Sequence, residues 1–167
     1  MTVSVTEALV TTFEPWSALY ADSRVLPIGL TFAHLGAMMI GGGLALGADR
    51  QVLRASRGSD AAARTLLADT VGDVHRPVVI ALLVSLCSGL LQLAADLEAL
   101  LPNRVLWVKL ALLLLLLGNG ALMLRDERAL RRSPEGASAF DALRIRAIVS
   151  VTLWLAILAA GVGLMQG

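Results

Sequence analysis

Charge and aromatic side chains are scarce in this chain of 167 residues, where 16% of positions are charged and 4% aromatic, against roughly 25% charged in an ordinary soluble domain. The single cysteine, Cys87, excludes an intrachain disulfide and with it a disulfide-rich secreted module. No nucleotide-binding loop, paired catalytic carboxylates, Ser-His-Asp set or zinc-ligand spacing is present, so a binding role is expected rather than an enzymatic one. Lys and Arg number 14 against 13 Asp and Glu, a formal net charge of +1, which gives no overall attraction to nucleic acid.

What the chain has instead is apolar length. Hydrophobic residues make up 57% of it, and the mean hydropathy is +0.76. They gather into runs at about 25–48, 77–95, 105–124 and 147–165, each matching the roughly 20 helical residues that cross a bilayer. Positions 112–117 are apolar on every face, without the alternation of a barrel strand, so helices are the form that satisfies the backbone in lipid. The expectation is an all-α integral membrane four-helix bundle over 25–167, preceded by a separate segment at 1–24.

Arginine is distributed unevenly. Arg50, Arg54, Arg57, Arg64 and Arg76 fall in the first connection, and Arg125, Arg128, Arg131, Arg132, Arg144 and Arg146 in the third. The second holds Asp96, Glu98 and Arg104, and the N-terminal segment Glu7, Glu14, Asp22 and Arg24. Arginine retained in short loops marks the cytoplasmic side, which predicts both termini outside (N-out/C-out). Residues before the first span lack a basic n-region, so that span is expected to act as its own insertion signal. In the N-terminal segment Val5, Leu9, Phe13, Trp16, Leu19 and Tyr20 recur at steps of three or four, interrupted by Pro15, as in an amphipathic helix with a break lying at the outer interface. Positions 59–73 have helix-forming composition, and Pro134-Glu135-Gly136 is a turn signal.

Helices in lipid associate through small residues and a few polar contacts. Ala37 with Gly41, Gly43 with Gly47, Ser85 with Gly89, Ala156 with Ala160, and Ala159 with Gly163 have the four-residue spacing that serves either contacts within the bundle or a homodimer. Polar groups at depth call for a partner or a purpose. At 1.5 Å per residue His34 lies about 14 Å from the outer boundary and Cys87 at a comparable level, about 15 Å from either boundary. Met38 shares the face of His34, with Met39 beside it. An imidazole, a thiolate and a thioether suit Cu(I), so His34, Met38 and Cys87 form one candidate metal set. The alternatives for His34 are a structural hydrogen bond, a proton relay or a haem axial ligand. His75, beside Asp73 and Arg76 at the cytoplasmic edge, is a second candidate ligand, but it lies roughly 15 Å from His34 along the normal. That separation disfavours a bis-histidine haem in one chain and leaves a His/Met pair or two His34 side chains in a dimer. Lys109, level with Gln92, is expected to snorkel to the outer interface, or to touch an acidic lipid or quinone. Asn119, between Gly118 and Gly120, is expected to bond across a close helix contact.

The segment Leu26-Pro27 through His34-Leu35-Gly36, Gly42-Gly43 and Asp49-Arg50, with His75-Arg76-Pro77, Ser88-Gly89, Lys109 and Asn119, resembles small bacterial four-helix membrane proteins related to the copper-resistance D-like (CopD-like) family. The resemblance covers residues 26–125. It implies a multi-pass bacterial inner-membrane protein and a copper or redox cofactor, here copper or haem b. The competing expectation is a structural accessory subunit of a larger membrane complex with no cofactor of its own. The topology predicts that alkaline phosphatase fused after Leu164 is active and that a fusion after Arg125 is inactive. The opposite pattern inverts the assignment.

Overall fold

The computed structural model describes residues 5–55, 61–132 and 137–164. Arg57, Met165 and the Pro134-Glu135-Gly136 turn signal lie outside the described residues. So do the first two positions of the helix expected at 59–73. All regular structure among the described residues is helical: α1 Val5–Asp22, α2 Val25–Ala55, α3 Ala61–Ala95, the single turn α4 Leu97–Leu100, α5 Arg104–Arg132 and α6 Ala137–Leu164. Four of these, α2, α3, α5 and α6, are long and apolar enough to cross a membrane. Short connections make consecutive helices antiparallel, and α2 packs on α3, α3 on α5, α5 on α6 and α6 back on α2, closing a four-helix ring.

The ends are set by local chemistry. The Ser23 hydroxyl accepts hydrogen bonds from the Val25 and Leu26 amides at 3.3 and 3.2 Å, and Asn103 Oδ1 accepts from the Val105 amide at 2.9 Å. Each satisfies donors that a helix start leaves free. Contrary to the expected break, α1 runs through Pro15, and α3 runs through Pro77. A proline removes the bond to the carbonyl four residues earlier. Those carbonyls belong to Thr11 and Asp73, both exposed, where a missing donor costs less than it would in the core. Helix α1 lies on the end of α3, with Trp16 Nε1 donating to the Leu91 carbonyl at 2.9 Å and the Ser17 hydroxyl to the Ala95 carbonyl at 2.8 Å.

At the arginine-rich end the helices continue between about two and four turns beyond the apolar runs. The reason is a second core there. Val52, Leu67, Ala68, Val71, Met123, Leu130, Phe140, Leu143 and Ala147 pack together, and burial of that kind stabilises helix well beyond local propensity. Arg131 ties α5 to α3 through Asp69 at 2.6 Å and also bonds Glu127. Arg146 of α6 reaches Asp126 of α5 at 3.4 Å.

The middle of the bundle is held by Leu82, Leu116, Trp154 and Ile157, while Phe32, Val25, Ile28, Met39 and Leu114 are exposed on the outer faces. That inside-out distribution of bulk suits a lipid surround, in which exposed leucine costs nothing. Gly41 and Gly42 bring α2 onto its neighbours. A Cβ at Gly41 would lie 2.9 Å from Ala81 Cβ, and one at Gly42 would lie 3.3 Å from the Trp154 ring. Of the expected small-residue pairs on α2, Ala37 with Gly41 is therefore in the interface. Gly43 and Gly47, turned about half a circle away, have nothing within 4 Å. Gly41→Leu is expected to destabilise the detergent-solubilised protein by about 1–3 kcal/mol through overpacking. Gly43→Ala should change its stability by no more than about 0.5 kcal/mol. Equal effects in an unfolding titration would contradict this assignment of faces.

Candidate functional site

Leu82 and Trp154 line two separate chambers in the bundle. The first, about 110 Å³, is bordered by His34 and Met38 of α2, Ser85 and Gly89 of α3, Lys109 and Leu113 of α5, and Trp154 and Ile157 of α6. His34 Nδ1 lies 2.8 Å from the Ser85 carbonyl and 3.3 Å from each of the Ser85 and Ser88 hydroxyls. A carbonyl only accepts, so Nδ1 carries the proton. Nε2 then accepts, and it faces Lys109 Nζ at 3.4 Å. The ring fits because position 89 is glycine, where a Cβ would lie 3.1 Å from His34 Cε1. One turn toward the α3 terminus, Gln92 Nε2 donates to Thr31 Oγ1 at 3.2 Å.

The candidate metal set is only partly assembled. His34 and Met38 share the chamber, whereas Cys87 is exposed and Met39 is 75% exposed. Ser85, Ser88 and Gly89 occupy the face of α3 that meets His34, and position 87 points about 200° from position 85 on the helical wheel. His75 lines the other chamber. The residues do not fit copper or haem as placed. Nδ1 is committed to a carbonyl, and a cation bound at Nε2 would meet the Lys109 ammonium. The chamber is also smaller than the roughly 150 Å³ cavity that holds one benzene, so a macrocycle has no room in it.

Lys109, the only lysine of the chain, does not reach outward as expected. The residue is half-buried, and its amine turns toward His34 Nε2, an acceptor at 3.4 Å. Among the described residues the ion pairs join Arg131 to Asp69 and Glu127, and Arg146 to Asp126. Lys109 has no carboxylate partner among them. The sequence did not reveal the pairing of Lys109 with His34, and in it Ser85 and Gly89 read only as contact residues.

The second chamber, about 250 Å³, lies nearer the arginine-rich end and is lined by Asp49, His75, Asn119 and Ser150 among apolar neighbours. Asn119 forms the interhelical bond expected of it, its Nδ2 donating to the Arg146 carbonyl at 3.0 Å. Asp49 is 1% exposed and bonds Ser150. Asp49 was not singled out as a site residue, because it stands next to Arg50 at the edge of an apolar run and reads as a boundary charge.

The fold and these chambers define a multi-pass helical membrane protein whose bundle holds two largely apolar chambers, each with a few polar side chains on its wall. No family model, no curated protein and no solved structure matches the chain. The exposure of Cys87 predicts that a lipid-soluble maleimide labels it in the folded protein. Cys87→Ala should leave stability within about 0.5 kcal/mol and any copper carried by the purified protein unchanged. Labelling that occurs only after unfolding would contradict its placement.

Proposed function

We propose that this is a binding protein of the bacterial inner membrane, N-out and C-out, whose His34 chamber receives the carboxylate head of a single-chain amphiphile from the outer leaflet. The observation that carries this reading is the inward-turned Lys109 ammonium with no carboxylate partner among the described residues. A charge at membrane depth costs on the order of 2.5–3.5 kcal/mol unless it is compensated, and a neutral imidazole compensates it only in part. An incoming carboxylate accepts from Lys109, and the resulting charge-assisted bond is worth about 1.5–3 kcal/mol. Leu86, Leu90, Leu93 and Leu110 border the same chamber and suit an alkyl chain, while the volume of about 110 Å³ limits the polar head to a small group. Copper and haem have less support, for the reasons of fit given above.

A second reading, a subunit that docks against another helix or a second copy, is favoured by one observation. Gly29, Gly36, Gly43 and Gly47 have nothing within 4 Å and lie along one line of α2, the pattern that lets helices approach closely in lipid.

Binding of oleate to the detergent-solubilised protein, followed by displacement of a fluorescent fatty acid, tests the first reading. Lys109→Gln is expected to weaken oleate about tenfold or more, since 1.4 kcal/mol is a factor of ten, and oleyl alcohol should bind wild type as weakly as oleate binds the variant. Oleate binding that is indifferent to Lys109→Gln, or matched by the alcohol, would overturn it.

A further inference from the structure

Two buried oxygen acceptors on the Asp49 chamber have no hydrogen-bond partner: Asp49 Oδ2 and Asn119 Oδ1. The Asn119 amide cannot be turned over to remove the problem, because its Nδ2 is committed to the Arg146 carbonyl, which requires a donor. Asp49 is 1% exposed, and the Ser150 hydroxyl meets only part of its carboxyl group's capacity. No ion pair among the described residues includes Asp49. Three helices, α2, α5 and α6, thus contribute oxygen-bearing side chains to the lining of one chamber, one of them a carboxylate. Buried acceptors left this way are costly, and a carboxylate more so.

We infer that this chamber is a binding site for a single alkali cation, held by oxygens of Asp49, Asn119 and Ser150. The donor set decides the class of ion. All three donors are hard oxygens, and there is no group of three or more His, Cys, Asp or Glu side chains suited to a metal among the described residues. One carboxylate balances a monovalent charge and leaves a divalent one in excess. The volume of about 250 Å³ leaves room for waters, each with a share of about 30 Å³ in the liquid, to complete the coordination shell. Trp154 and Leu82 border this chamber and the one containing Lys109, so the two opposite charges occupy separate compartments. The inference stands on the Asp49 chamber alone and is independent of what the His34 chamber binds.

The test measures the Tm of the purified full chain in NaCl, KCl and choline chloride at equal ionic strength, with ²³Na line broadening recorded on the same protein. An ion that binds only the folded state raises Tm by mass action. Wild type is expected to melt several degrees higher in NaCl or KCl than in choline chloride and to broaden the ²³Na line, with added KCl reversing the broadening if potassium is preferred. Asp49→Asn, which keeps the shape and removes the charge, is expected to lose the alkali-specific increment, and Ser150→Ala to weaken it several-fold. Identical wild-type melting in all three salts with no ²³Na broadening would mean a water-filled chamber only, and would overturn the inference whether or not the variants fold. An increment retained in Asp49→Asn would overturn it as well.

Discussion

Close approach of α2 at Gly41 and Gly42 is the constraint from which the interior follows. Lipid supplies no hydrophobic force between helices, so the bundle is held by fit and a few polar contacts. At Gly41 there is no room for a Cβ against Ala81, and at Gly42 the Trp154 ring lies flush on the α2 backbone. That contact fixes the indole at the centre of the bundle with Leu82, Leu116 and Ile157. A rigid ring there divides what would otherwise be one continuous interior. The space on either side of it becomes the His34 chamber and the Asp49 chamber.

The two chambers have opposite electrostatic character. In the first, His34 bridges α2 to the Ser85 carbonyl of α3 and to Lys109 of α5, and the excess charge is positive. In the second, Asp49 of α2 meets Ser150 of α6, Asn119 binds α5 to α6, and the excess charge is negative. Each polar group joins helices that lipid alone would not hold together, so the contacts that assemble the bundle also create its candidate sites. Beyond the apolar runs, the arginine-rich end is built like a soluble bundle, with its own core around Leu130 and Leu143 and ion pairs around Arg131.

Much of this architecture was legible in the sequence because hydropathy and helix length are one-dimensional quantities. The runs at 25–48, 77–95 and 105–124 each fall inside a single helix, and so does the described part of the fourth, 147–164. Of their extensions, 59–73 was legible as helix-forming but not as one helix with the span that follows, and those around Val52 and Leu130 were not legible, because these residues are embedded among arginines and small polar residues that resemble loop. At the site, sequence spacing gave depth but not direction. Cys87 and Ser88 are neighbours at the same level, yet Ser88 faces His34 while Cys87 faces away. Only the rotation of α3, set by Ala81 against Gly41 and Gly89 against His34, decides which of the two meets the imidazole. Asn119 was legible because an amide between two glycines has few other uses. Asp49 was hidden by its position at the end of a run, where a carboxylate beside an arginine is ordinary.

The central claim is that His34 is a neutral imidazole protonated on Nδ1, with Nε2 accepting from Lys109. Solid-state ¹⁵N NMR of histidine-labelled protein in lipid bilayers tests it most directly. The chain has only two histidines, so a His75→Asn variant isolates the His34 signals. The account predicts a protonated Nδ1 and an unprotonated, hydrogen-bonded Nε2 whose resonance moves when Lys109 is replaced by Gln. A proton on Nε2, or a metal-shifted nitrogen at either position, would contradict it.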